Sequence, residues 1–160
     1  MELKTLDTLH EDTTYTQNVS DKMNGLLASF TVYYQNLRGL HWNISGPAFF
    51  QLHLQFETLY NRAAVAIDDI AERILAVNGK PLHTLEDYLQ QSVIPQTRNV
   101  SDDQEAALTV ANNIRLLVQA EKEILHAATE HKDDGTADLM TRLIHEQEKD
   151  HWMMRAYLGQ

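Results

Sequence analysis

Two pairs of side chains with metal-binding chemistry stand at helical spacing in the middle of this chain: His53 with Glu57, and Asp68 with Glu72, each pair four residues apart. On a helix that spacing places both members on one face with Cβ atoms about 5–6 Å apart, so each pair offers half of a metal site. Imidazole nitrogen satisfies Fe(II) and hard carboxylate oxygen favours Fe(III), so the combination suits iron that changes oxidation state. Thiolates, the frequent ligands of a closed zinc site, are ruled out because the chain has no cysteine. Taken singly, either pair also reads as a solvated surface pair, and Asp68 with Asp69 as an acidic patch.

The separation between the pairs carries more information than either pair. His53 and Asp68 lie roughly 22 Å apart along a helix, yet their directions around its axis differ by only about 60°. One chain therefore cannot close both pairs on a single ion. Two copies of the helix, crossing antiparallel about a two-fold axis near Asn61 to Ala64, would set the His53 end of one against the Asp68 and Glu72 end of the other. Such an isologous dimer has two equal sites. The small Ala63 and Ala64 at the midpoint allow close approach, and His41 at the end of the preceding helix can join His53.

The elements that must position these residues are four long helices. Apolar residues Met23, Leu26, Leu27, Phe30, Tyr34 and Leu37 recur at helical spacing after a Ser20 cap and predict a first helix ending near Asn43. Ser45, Gly46 and Pro47 punctuate the chain, and a second helix is expected from Ala48 to Val77, stopped by Asn78 and Gly79. Lys80 to Val100 reads as a long crossover with one short helix at Leu85 to Leu89. Ser101 with Gln104 resembles a capping box for a third long helix. Asp133 to Gly135 breaks it, and a fourth runs to about Leu158. The expected fold is all-α, a ferritin-like four-helix bundle with a short extra helix in the crossover, covering residues 21–160 behind a polar N-terminal arm, 1–20.

Bulk composition narrows the partners. The 160 residues suit one domain, and a formal net charge of -10 disfavours attraction to DNA or anionic membranes while suiting a protein that handles cations. No apolar run reaches the roughly 18 residues of a membrane span, and Met1 to Ser20 lacks the blocks of a secretory signal, so a cytoplasmic protein is expected.

Leu40 to Asn43 reads LHWN, His53 follows His41 by twelve residues, and Asp68 to Arg73 reads DDIAER; His151 to Gly159 reads HWMMRAYLG. Together these resemble the signature of the Dps family of mini-ferritins over most of the chain. The resemblance implies a twelve-subunit shell built from two-fold dimers. Such a shell would bind Fe(II) at ferroxidase sites shared between subunits, oxidise it preferentially with hydrogen peroxide, store the ferric mineral inside and so protect against oxidative damage. By position, His41 and His53 would come from one subunit and Asp68 and Glu72 from its mate. Glu57 would hold or orient the second iron, and Trp42 would take up oxidising equivalents. Asp134 and Asp138 would line the pores that admit iron, with Asp133 able to assist, although acids at a helix start also serve as caps.

Two features depart from the family pattern. Leu54 stands where an acid often follows the second histidine, which weakens the case for a mineral-nucleating surface. The arm is acidic where DNA-compacting members are rich in lysine, which weighs against DNA binding. A DNA-compacting nucleoid protein with secondary iron chemistry is one alternative. An intrachain di-iron oxidase of the bacterioferritin type is another, prompted by Glu123 with His126 and Glu148 with His151. Those strings point away from the apolar faces of their helices. Glu121, by contrast, falls on the apolar face of the third long helix, a place that calls for a buried hydrogen bond or an interface pair.

Overall fold

The computed structural model describes residues 9–160 and contains five helices: α1 (Thr13–Asn43), α2 (Phe49–Ala76), α3 (Leu85–Gln91), α4 (Asp103–Glu130) and α5 (Asp134–Tyr157). No strand occurs among the described residues. The fold is the all-α bundle expected, with α3 as its extra helix. The core is built from side chains that recur at helical spacing, among them Met23, Leu26, Leu37 and Leu40 of α1, Phe56, Ile70 and Ile74 of α2, Ile114, Leu117 and Ile124 of α4 and Met140 of α5, all fully buried.

Short links make hairpins of α1 with α2 and of α4 with α5. Three arginine–carboxylate pairs tie α2 to α5: Arg62 to Asp150, Asp69 to Arg142 and Arg73 to Asp133. Numbers rise along α2 as they fall along α5, so these two helices run antiparallel. The crossover from Val77 to Asp102 runs beside α1. Its backbone lacks helical partners over most of that length, and buried peptide groups must be satisfied somehow. Asn24 accepts from Leu82 N–H at 2.8 Å and donates to the Lys80 carbonyl at 3.0 Å. Asn36 does the same for Thr97 and Pro95, both at 2.9 Å.

Three helix starts differ from those expected. α1 begins at Thr13 rather than after Ser20, because Asp12 accepts hydrogen bonds from the Thr14 and Tyr15 amides, both at 3.0 Å. Residues 13–20 of the expected arm are therefore helical, and Tyr15 and Val19 are buried on the bundle; residues 1–8 lie outside the described residues. α4 is capped by Asp102, which accepts from the Glu105 amide at 2.9 Å, while the Ser101 carbonyl receives the Ser45 N–H. α5 is capped by Asp133, so Gly135 is its second residue and not a break.

Gly135 is required by packing rather than by backbone conformation. A Cβ there would fall 2.7 Å from the Arg73 guanidinium, which is held by Asp133 at 2.6 Å and by Thr136 at 2.9 Å. Gly135→Ala gains up to about 1 kcal/mol of helix propensity but displaces a tethered side chain, which typically costs about 1–3 kcal/mol. A net loss of stability is expected in urea unfolding; a gain would mean that the clamp yields freely.

A candidate metal site divided between the two ends of one helix

His41 lies in the last turn of α1 and is 8% exposed, and His53 lies in the second turn of α2. The hairpin brings the two imidazoles face to face, 3.7 Å between centroids and 16° from parallel. His41 Nδ1 is 2.7 Å from the His53 carbonyl oxygen, and His53 Nδ1 is 2.8 Å from that of His41. A carbonyl oxygen can only accept, so both Nδ1 atoms carry a proton, and in the neutral imidazole the lone pair then falls on Nε2. The His41 carbonyl is one of the last four of α1, which have no partner within the helix. One exchange therefore satisfies a helix end and fixes two tautomers. Phe49 stacks on His53 at 4.9 Å and Tyr60 meets His41 edge-on at 5.3 Å, so both rings are held in place before any ligand arrives.

Glu57 is half-buried one turn beyond His53, while Asp68 and Glu72 are exposed near the far end of α2. Among the described residues no three His, Asp or Glu side chains come together as a metal cage. The chain thus joins His41 with His53, keeps Glu57 close by, and leaves Asp68 and Glu72 apart, as the spacing along α2 requires. Leu54 and Val65, 60% and 59% exposed, share an outward stripe with Glu57, Asp68 and Glu72. A stripe of exposed apolar and acidic side chains is a surface lacking its cover. At its centre Ala64 faces outward, but Ala63 is buried inside the bundle and is not available for the close approach expected of it.

Asp134 and Asp138 are exposed one turn apart at the start of α5. Asp133 is not free to join them. It is buried and accepts from Tyr15 at 2.7 Å, from Thr136 at 2.7 Å and from Arg73 at 2.6 Å. Burial alone would raise its pKa, yet the hydrogen bonds from Thr136 and Tyr15, with the Arg73 charge, hold the carboxyl below the usual range. Trp42 is 57% exposed and lies under the Arg38 guanidinium at 4.8 Å.

The two Glu-x-x-His strings lie on the outside of the bundle. Glu123 pairs with Lys22, His126 with Glu130, and Glu148 with Lys122, all with largely exposed side chains. The interior holds a different polar group. Arg62 donates to both carboxylate oxygens of Asp150 at 2.7 Å, beside the buried Tyr33, and Gln147 donates to the fully buried Glu121. A cavity of about 30 Å³ adjoins Arg62, Gln147 and Asp150. Spacing had marked Glu121 as out of place; nothing in the sequence marked the Arg62–Asp150 pair. Tyr60 was also missed, although it stands two turns from His53 on the same face of α2.

The sequence matches a ferritin-like domain over residues 20–160. It is 35% identical over 144 residues to the DNA protection during starvation protein 2 of Bacillus anthracis, covering 90% of this chain and 99% of that protein. The crystal structure of a Dps protein from Vibrio cholerae, described as a member of a broad superfamily of ferritin-like diiron-carboxylate proteins, superimposes with a TM-score of 0.92 at 36% identity over 99% of both chains. A Dps protein from Bacillus brevis superimposes with a TM-score of 0.89 at 35% identity, covering 92% of this chain and 99% of that one.

Proposed function

This chain belongs to the Dps family of ferritin-like proteins, and from that premise we propose that it is a ferroxidase and iron store whose sites are completed by a second copy of itself. The observation that carries this reading is the division along α2: a histidine pair with fixed tautomers at one end, and two exposed acids on an uncovered stripe at the other. Antiparallel pairing of two α2 helices about a two-fold axis near Asn61 to Ala64 would give each site His41 and His53 from one subunit and Asp68 and Glu72 from its mate. Glu57 would hold or orient a second iron.

In the proposed reaction iron is the substrate. The free Nε2 atoms receive Fe(II), and the carboxylates from the partner favour the Fe(III) product. Two Fe(II) ions give one electron each to hydrogen peroxide; with two protons the O–O bond is cleaved to two waters, and no hydroxyl radical is released. The ferric product is stored inside a shell of twelve subunits, reached through pores lined by Asp134 and Asp138, and the cell is thereby spared oxidative damage in the cytoplasm. The acidic pore raises the local concentration of cations.

Anaerobic addition of Fe(II) followed by peroxide tests this directly. Two Fe(II) consumed per peroxide is the expected stoichiometry; one per peroxide, with hydroxyl radical caught by a spin trap, would sink the proposal. In the same assay Asp134→Asn with Asp138→Asn should slow oxidation roughly 10-fold at low ionic strength and leave the stoichiometry alone. An unchanged rate would remove these two acids from the iron path.

A further inference from the structure

The proposed reaction balances only when two Fe(II) ions are present. With one iron in the site, peroxide still needs a second electron, or it releases hydroxyl radical. The side chains packed on the histidine pair include one that can supply it. Tyr60 stands edge-on to His41 at 5.3 Å, and Tyr34 stands edge-on to Tyr60 at 6.0 Å. The Arg38 guanidinium lies over both Tyr34, at 5.3 Å, and Trp42, at 4.8 Å.

We propose that Tyr60 gives the second electron when a single Fe(II) occupies the site, a proposal that rests on the ferroxidase reading above. Three observations favour it over the other aromatic residues. Tyr60 is in direct ring contact with His41, whereas Trp42 packs on neither histidine. A cation over a ring opposes removal of an electron from it, and Arg38 covers Tyr34 and Trp42 but not Tyr60. The Tyr60 ring is half-buried, and its hydroxyl is neither bonded to a described residue nor closed off from solvent, so the phenolic proton has a route to water.

Fe(II) gives one electron to peroxide, and Tyr60 gives one electron and its phenolic proton. A second proton comes from water, and the O–O bond breaks to yield two water molecules. Fe(III) and a neutral tyrosyl radical remain, and the next Fe(II) to arrive returns an electron to Tyr60, which regains a proton from solvent.

The test is rapid-freeze electron paramagnetic resonance after mixing peroxide with shells carrying one Fe(II) per site. The expected result is an organic radical whose spectrum narrows when the protein is made with ring-deuterated tyrosine and does not change with deuterated tryptophan. The signal should be lost in Tyr60→Phe, with more spin-trapped hydroxyl radical, and kept in Trp42→Phe. A signal that responds to deuterated tryptophan, disappears in Trp42→Phe or survives in Tyr60→Phe would overturn the assignment. Because isotope labelling uses the unmutated chain, the test does not depend on a variant that folds. Oxidation of Fe(II) with no radical at one iron per site would sink this proposal alone, whereas failure to oxidise Fe(II) at any loading would sink the ferroxidase reading beneath it.

Discussion

On the proposed ferroxidase reading, the His53→Ala protein is expected to oxidise Fe(II) no faster than iron in buffer. Loss of an outer partner that merely orients a metal ligand typically costs about 10–100-fold, and His53 does more than orient. Its Nε2 is one of the two free imidazole lone pairs in the site, its Nδ1–H satisfies the His41 carbonyl, and its ring is the surface against which His41 stacks. The loss should therefore exceed about 100-fold in initial rate while the helical bundle stays intact. The division of the site makes the prediction sharper. An Asp68→Asn chain should be equally inactive by itself, since every shared site proposed for a uniform assembly then lacks one ligand. Chains of the two kinds assembled together should regain activity, because a mixed dimer has one doubly damaged site and one intact site. With random pairing about a quarter of all sites are intact, and activity should return to about that fraction of the parent's. Mixed shells verified by native mass spectrometry that recover nothing would place the acids and histidines in separate functions.

The spacing of His53, Glu57, Asp68 and Glu72 was readable from the sequence because a helix converts residue number into distance and direction without reference to anything else. The helical bundle was readable for the same reason, from Leu26, Leu37, Phe56 and Ile114 recurring on single faces. What escaped was set by contacts between elements. The reciprocal bonds of His41 and His53 depend on the turn between α1 and α2, and Tyr60 matters only because α1 brings His41 against it. Arg62 and Asp150 are charged residues that look solvated in one dimension and meet only because α2 and α5 run antiparallel. The early start of α1 was hidden because Thr16 and Ser20, polar in type, are buried beside Tyr15 and Val19. Ala63 was misplaced for the opposite reason: small residues fit a helix crossing and a tight core equally well, and only its 3% exposure decides between them.

Glu121→Gln is expected to stabilise the protein near neutral and alkaline pH, by an amount on the order of a few kcal/mol. Glu121 is fully buried; its Oε2 and the Oε1 of Gln147 have no partner, and neither has the nearby Arg62 Nε. Burial pushes its carboxyl from 4.5 up to about 8, the hydrogen bond from Gln147 opposes this, and the charges of Glu146 and Glu148 add to it. For an acid with a raised folded-state pKa, both states hold the proton below the unfolded value and nothing is lost. Above that value the unfolded chain gives up its proton while the folded chain keeps it, so stability falls as pH rises from about 4.5 to about 8 and stays reduced beyond. Glutamine removes the ionisation, and its amide can still pair with Gln147. Unfolding in urea at about pH 5 should therefore separate parent and variant only slightly, and at about pH 8 much more, in favour of the variant. Part of the slope should persist, because burial raises the pKa of Asp150 as well. A variant less stable than the parent at about pH 8, or a difference that does not change with pH, would show that Glu121 is ionised in the folded core. An ionised Glu121 would in turn leave an uncompensated charge in the bundle interior, whereas a protonated one leaves that interior neutral.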